Sequence, residues 1–143
     1  MEEKIRVFLD SNVLFYIAYT GRENSRSYLI YEIQSAGILK VYLSGLVCKE
    51  AVFNIKIKKP ERLNFLNELI KRSKVLDDVL VDTKNESVSS LPQNDRIILT
   101  TAVSNSMDYF ITGNIKDFKN FYRKRIGKTL ILKPVDFLRR NFK

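Results

Sequence analysis

The stretch VFLDSNVLFYIAYTG, residues 7–21, sets the expectation for the fold. Residues 5–9 form a short apolar run between charged residues and an Asp-Ser-Asn triplet, which is typical of a buried strand. The apolar residues that resume after this triplet predict a helix, with Ser11 or Asn12 as its N-cap. A strand followed at once by a helix begins an α/β unit, and the carboxylate of Asp10 lies at the junction.

The rest of the chain continues this alternation. Predicted strands cover residues 5–9, 39–43, 74–76, 79–81, 109–111 and 129–132. Predicted helices cover about 13–20, 24–36, 46–57, 61–72 and 94–103, with a last helix opened by Pro134. Residues 82–93 are the most polar stretch and are predicted to form a surface loop. Short apolar strands that alternate with helices are typical of a parallel sheet covered on both faces. We therefore predict one domain over residues 1–143, a three-layer α/β/α sandwich with a central, mostly parallel sheet.

Composition narrows the possible chemistry. The 143 residues carry 25 Lys and Arg against 16 Asp and Glu, a net charge of +9 that favours polyanions such as nucleic acid. A solvated lysine-rich surface explains this charge equally well. Histidine is absent and Cys48 is the only cysteine, which excludes Ser-His-Asp catalysis, an internal disulfide and a cysteine-based zinc site. Any catalysis must use carboxylates, hydroxyls, amines or hard metal ions.

The location of the protein is predicted from its apolar runs and its first residues. The longest apolar runs are shorter than the roughly 20 residues that a membrane span needs. The segment MEEKIR is acidic where a signal peptide would be basic. We expect a soluble cytoplasmic protein without a membrane segment.

Four carboxylates stand where the predicted fold would place a site, beyond the carboxyl ends of the strands. Asp10 follows the first strand, and Glu50 falls on an apolar helix face. Asp95 opens a helix, and Asp117 lies in a loop after a strand. Each acid alone is explained by helix capping, the helix dipole, pairing with a lysine or an ordinary turn. Together, without cationic partners, they would repel one another unless Mg²⁺ or Mn²⁺ neutralised them, which predicts metal-dependent hydrolysis of phosphodiester bonds.

Two basic clusters are candidate contacts for RNA because they combine positive charge with neighbouring aromatic residues. The first consists of Lys56, Lys58 and Lys59, and the second of Arg123, Lys124 and Arg125. Neither cluster is specific alone.

The ordered set of motifs resembles the PIN-domain nucleases, and in particular the VapC-like ribonuclease toxins of prokaryotic toxin–antitoxin pairs. The matching pieces are VFLDSNVL, KEAVFN, NDRIILTTAV and DYFITGNIKDF, which span nearly the whole chain. The resemblance implies a PIN-like fold, cleavage of single-stranded RNA with Mg²⁺ or Mn²⁺, a cognate antitoxin and a homodimer.

The resemblance also implies roles for individual residues. Asp10, Glu50 and Asp95 would be catalytic metal ligands and Asp117 the fourth acid, with Asn12, Ser11, Thr112 and Asn114 in supporting positions. Many relatives have an acid where this chain has Asn114, so the fourth position could be filled by Asp117, by the Asn114 amide oxygen or by water.

Two other functions compete with this interpretation. A phosphohydrolase could use Asp10 as its nucleophile, although such enzymes usually have Asp-x-Asp where this chain has Asn12. A non-catalytic or RNA-processing PIN-like protein could bind RNA and keep the acids as an electrostatic feature.

Overall fold

The structure is a computed structural model that describes residues 3–80 and 91–142. Its strands are β1 (Ile5–Leu9), β2 (Leu39–Ser44), β3 (Lys74–Leu76), β4 (Tyr109–Ile111), β5 (Arg125–Ile126) and β6 (Thr129–Leu132). Its helices are α1 (Ser11–Thr20), α2 (Leu29–Ser35), α3 (Gly45–Lys58), α4 (Leu63–Lys71), α5 (Gln93–Ser104), α6 (Ile115–Phe118) and α7 (Pro134–Asn141). Short 3-10 turns at Arg26–Tyr28 and Pro60–Arg62 precede α2 and α4.

The six strands form one sheet in the order β3-β2-β1-β4-β6-β5. Every pairing is parallel except that of β5 with β6. Strand β1 is central, and Val7, Phe8 and Leu9 are fully buried, as expected for a strand covered on both faces. The predicted three-layer α/β/α sandwich with a mostly parallel sheet is confirmed.

Several predicted elements differ in detail. The helix expected over residues 24–36 is a 3-10 turn followed by the shorter α2. Residues 79 and 80 form no strand, and residue 81 lies outside the described residues, as does most of the predicted loop 82–93. The two-residue strand β5 was missed because Arg125–Ile126 carries no alternating apolar pattern and pairs only with the neighbouring β6.

The sheet register brings two loops together at the carboxyl edge of the strands. Leu9 lies beside Ile111, and the Asp10 amide donates a hydrogen bond to the Ile111 carbonyl at 2.9 Å. The Thr112 amide in turn donates to the Leu132 carbonyl at 3.0 Å. Residues that follow β1, β4 and β6 are therefore neighbours. Among the described residues, no helix is both long enough and apolar enough to cross a membrane.

Candidate acidic site at the carboxyl edge of the sheet

Asp10 is the most enclosed of the four predicted acids, with 1% of its surface exposed. Its Oδ1 accepts a hydrogen bond from the Ser11 amide at 2.8 Å, and its Oδ2 accepts from Asn12 Nδ2 at 3.0 Å and Thr112 Oγ1 at 2.7 Å. Asp10 is also the N-cap of α1, so the prediction that Ser11 or Asn12 caps this helix was wrong. The extended backbone at Asp10 brings its carboxylate back to the first helical N–H.

Asn12 and Thr112 tie the loop after β1 to the loop after β4. Asn12 Oδ1 accepts from the Gly113 amide at 2.7 Å, and Thr112 Oγ1 accepts from the Asn114 amide at 3.0 Å. A Cβ at Gly113 would lie 3.2 Å from Asn12 Oδ1, so a side chain there would press on this contact. The structure thus places the side chains of two of the four predicted supporting residues, Asn12 and Thr112, against Asp10.

Glu50 lies in the second turn of α3 and is half-buried. Ser11 Oγ donates to Glu50 Oε1 at 2.9 Å, and Asn94 Nδ2 donates to Oε2 at 3.3 Å. The Ser11 side chain therefore contacts Glu50, while only its backbone amide contacts the Asp10 carboxylate.

Asn94 is a site residue that the sequence analysis missed. The helix expected over residues 94–103 begins at Gln93, and Pro92 occupies the cap position without a side-chain hydrogen bond. Its position next to Asp95 could have predicted that Asn94 belongs to the site, since consecutive residues in a first helical turn can both reach the same edge of the sheet.

Asp95 lies in the first turn of α5 and is in electrostatic contact with the other three acids. Its pKa is raised to about 7, first by burial, then by the negative charges of Asp10, Asp117 and Glu50, and by a hydrogen bond with Asp117. Burial also raises the pKa of Asp10 to about 6; Glu50 adds to this rise, whereas the hydrogen bonds from Thr112, Ser11 and Asn12 oppose it. The structure therefore brings all four predicted acids into one neighbourhood.

Asn114 and Asp117 have different roles after β4, where Asp117 lies in the short helix α6 and not in the loop that was predicted. Asn114 is the N-cap of α6: its Oδ1 accepts from the Asp117 amide at 3.2 Å. Its Nδ2 donates to Asp117 Oδ2 at 2.9 Å. The Asn114 amide oxygen is occupied by the backbone, and the Asp117 carboxylate is the group that interacts with Asp95.

The donor set fits a hard divalent cation in its chemistry. All four side chains offer carboxylate oxygens, which Mg²⁺ and Mn²⁺ prefer. None of the four forms an ion pair with a lysine or arginine within the described residues. In the same residues, however, no three Asp, Glu or Cys side chains are arranged so that they could hold a metal ion. The acids are nevertheless close enough for their negative charges to raise the pKa of Asp10 and of Asp95.

The first predicted basic cluster lies away from these acids. Lys58 Nζ is 5.4 Å from the centre of the Phe15 ring, and Lys59 Nζ is 4.8 Å from that of Tyr19. These contacts join the C-terminal end of α3 to the middle and the C-terminal end of α1, whereas Glu50 lies in the second turn of α3. Lys58 follows Glu50 by eight residues, which corresponds to about 12 Å along the helix axis.

The second predicted basic cluster is also engaged elsewhere. Arg123 forms an ion pair with Asp136 at 3.6 Å, and Arg125 donates to the Lys128 carbonyl at 3.0 Å. Neither basic cluster makes a hydrogen bond or ion pair with the four carboxylates in the part of the chain described. Their predicted contact with RNA stays a prediction.

The fold matches chains of solved complexes. A VapBC complex from Salmonella typhimurium bound to DNA matches with a TM-score of 0.64 and 17% identity, over 91% of this chain and 98% of that chain. VapBC2 from Rickettsia felis, bound to a DNA fragment from their promoter, matches with a TM-score of 0.60 and 19% identity, over 87% of this chain and 96% of that chain. A toxin–antitoxin complex from Klebsiella pneumoniae matches with a TM-score of 0.59 and 22% identity, over 90% of this chain and 97% of that chain. At these identities the likeness shows the fold alone.

These comparisons overturn the identification of the chain as a member of the PIN-domain, VapC-like ribonuclease toxins. No family model and no curated protein matches the chain. The similar structures are named as complexes, one of a toxin with its antitoxin and two with DNA bound, and they do not identify this chain as a ribonuclease toxin. The motif resemblance misled because an acid after a strand or at a helix start also serves as a cap, as Asp10 does here.

Proposed function

We propose that this protein is a divalent-metal-dependent endoribonuclease that hydrolyses phosphodiester bonds of single-stranded RNA. The observation that carries this proposal is the group of four carboxylates at the carboxyl edge of the sheet, formed by Asp10, Glu50, Asp95 and Asp117, hereafter the acidic site. Their mutual repulsion is not relieved by any cationic side chain within the described residues. A net charge of +9 suits a polyanionic substrate.

In this proposal the four carboxylates of the acidic site would hold Mg²⁺ or Mn²⁺. Such an ion supplies a Lewis acid and a water of lowered pKa for attack on phosphorus. The chain's own polar residues orient the ligands: Asn12 and Thr112 hold Asp10 from one side, and Ser11 and Asn94 hold Glu50 from the other. Asn114 positions Asp117 by a contact to its carboxylate.

We propose further that the protein acts within a toxin–antitoxin system, with a cognate partner protein, and that it self-associates as a homodimer. The support is the fold that it shares with chains of toxin–antitoxin complexes from three organisms.

The test is cleavage of a labelled single-stranded RNA by the purified protein in Mg²⁺, in Mn²⁺ and in EDTA, with single-stranded DNA in parallel. We expect cleavage of RNA that EDTA abolishes, and a loss of at least about 100-fold in Asp95→Asn or Glu50→Gln, since each removes a charged ligand. Glu68→Gln is the matched control, because Glu68 is an acid in an exposed ion pair with Arg22. Equal rates in Glu50→Gln and Glu68→Gln would contradict the proposed role of the acidic site.

One observation favours a second candidate, a non-catalytic nucleic-acid-binding protein. Among residues 3–80 and 91–142 no ready-made metal group is present. That candidate predicts RNA binding without cleavage in any metal ion, and no tightening of binding by Mg²⁺ or Mn²⁺. Intact RNA in every condition, with binding retained, would replace the nuclease proposal by this one.

A further inference from the structure

A groove of about 680 Å³ adjoins the acidic site, between the 3-10 turn before α2 and the helix α7. We call it the α7 groove. Its apolar lining includes Leu29, Val135 and Leu138, and its cationic lining consists of Arg26, Lys133 and Arg139. The volume lies within the range of about 300–1,000 Å³ that is typical of ligand sites.

Gly113 connects the α7 groove to the acidic site. It lines the groove, and its amide donates to Asn12 Oδ1, whose Nδ2 holds Asp10. Lys133 directly follows β6 and Asp10 directly follows β1, with β4 between the two strands. Because neighbouring strands lie about 4.8 Å apart, the two strand ends are separated by about 10 Å. One extended polymer can therefore contact both places.

The charge of the groove favours an anionic ligand. Three cations and no Asp or Glu of the described residues line it. Arg26, Lys133 and Arg139 form no ion pair with the described residues, in contrast to Arg123 and its partner Asp136. Arg26 and Arg139 are exposed and can reach a phosphate from solvent.

The apolar lining of the α7 groove indicates which class of anionic ligand fits it. Leu29 is 42% exposed and Val135 36%, so apolar surface in the groove remains accessible. An unpaired base offers an apolar face next to a phosphate, whereas a duplex hides its base faces in the stack. Exposed apolar side chains beside cations thus fit a single strand better than a duplex.

We propose that the α7 groove binds nucleotides of the same single-stranded RNA whose phosphate lies at the acidic site, with bases on the apolar lining and phosphates at Lys133 and Arg139. This inference rests on the proposed function. It identifies a place for the substrate that neither of the two basic clusters seen in the sequence provides.

Binding in EDTA tests the groove independently of cleavage. Fluorescence anisotropy with a labelled single-stranded RNA of about 12 nucleotides would measure Kd for the full chain and for Lys133→Glu/Arg139→Glu. We expect Kd to rise at least tenfold in the double variant. The slope of log Kd against log salt concentration should decrease by about 0.7 for each phosphate that the variant no longer binds.

Arg140→Glu is the matched control for the single variant Arg139→Glu, because each of these changes replaces one positive charge with one negative charge. Arg140 follows Arg139 in α7 but lines a different surface, together with Arg123 and Asp136. We expect its Kd to change less than threefold. Equal weakening by Arg140→Glu would show that only the net charge matters, and would overturn the groove. Thermal melts of all variants would show whether they are folded.

A second variant separates the apolar part from the charge. Leu29→Ser removes exposed apolar surface without changing charge, and we expect a several-fold weaker Kd with an unchanged salt dependence. If Leu29→Ser and the double variant both bind RNA like the parent, the groove does not hold RNA; an acidic peptide that binds the parent but not the double variant would then identify a protein ligand.

Two failures would be distinguishable. Cleavage that depends on the acidic site but is unaffected by the groove variants would leave the proposed function standing and remove the groove from it. Groove-dependent binding without cleavage in Mg²⁺ or Mn²⁺ would retain the RNA-binding role of the groove and remove the nuclease proposal.

Discussion

The two sides of the acidic site are held in different ways. On the strand side, Asp10 is almost fully buried and accepts three hydrogen bonds. On the helix side, Asp95 is only half-buried, and the charge of Asp117 acts on it directly. Yet the pKa of Asp10 rises only to about 6, whereas that of Asp95 rises to about 7. Hydrogen-bond donors therefore offset burial at Asp10, while like charges add to it at Asp95.

The largest stability change is expected at Thr112, the buried donor on the strand side. Thr112→Val keeps the shape of the side chain but removes the hydrogen bond to Asp10 Oδ2 and the acceptor of the Asn114 amide. We expect the free energy of unfolding to fall by about 2–3 kcal/mol, as for buried polar groups left without partners. Urea denaturation of the parent chain and of Thr112→Val would measure this difference in the free energy of unfolding. Because the Thr112 hydrogen bond lowers the pKa of Asp10, that pKa should rise above 6 in a carboxyl NMR titration.

Thr112→Ser is the control, since it retains the hydroxyl and removes one methyl group. It should keep the pKa of Asp10 close to that of the parent chain. An equal pKa rise in the Ser and Val variants would show that packing, and not the hydroxyl, controls Asp10.

On the helix side, removal of one charge should stabilise the protein. The pKa of Asp95 rises from an ordinary value of 3.8 to about 7 in the folded chain, so between these values the folded state holds a proton that the unfolded state has released. Its contribution to stability therefore decreases as pH rises from about 4 to 7. Asp95→Asn should increase the free energy of unfolding at pH 8 in EDTA by about 1–2 kcal/mol, allowing for partial exposure.

The same variant should have little effect near pH 4, where Asp95 is largely protonated in the folded state and about half protonated in the unfolded state. Denaturation at pH 4, 6 and 8 would measure the trend, with Glu68→Gln as the control acid outside the site. A residual decrease with pH is expected in Asp95→Asn because Asp10 still titrates. A uniform gain at all three pH values would point to helix propensity instead of charge repulsion.

The contrast between the two sides also explains how far the sequence could predict the site. Asp10 and Asp117 follow predicted strands, and topology alone places the ends of parallel strands at one edge. Glu50 was predicted from its apolar helix face. The hydrogen bonds could not be predicted in the same way: Asp10 rather than Ser11 caps α1, and Asn94 reaches Glu50 across 44 residues of sequence. Such contacts depend on helix start points and on distant register, which local patterns do not determine.

Local patterns in the sequence also did not show which basic residues lie close together in the fold. Lys56, Lys58 and Lys59 are conspicuous in the sequence because they are close together, but α3 carries them away from Glu50. Arg26 is separated by more than 100 residues of sequence from Lys133 and Arg139, and the three meet only in the folded chain. Runs of charge in the sequence therefore do not identify cationic side chains that meet only through the fold.

The smallest expected effect concerns the contact that joins the two sides. Ser11 begins α1 beside Asp10, and its hydroxyl donates to Glu50 Oε1 at 2.9 Å. Ser11→Ala should lower the free energy of unfolding by about 0.5–1.5 kcal/mol, since the bond is only partly buried. A double-mutant cycle in urea with Glu50→Ala, which removes the acceptor, would isolate this pair from the rest of the site. Because Asn94 also donates to Glu50, we expect a coupling energy below about 1 kcal/mol. A larger value would mean that Ser11 alone positions Glu50, and that the strand side controls both halves of the site.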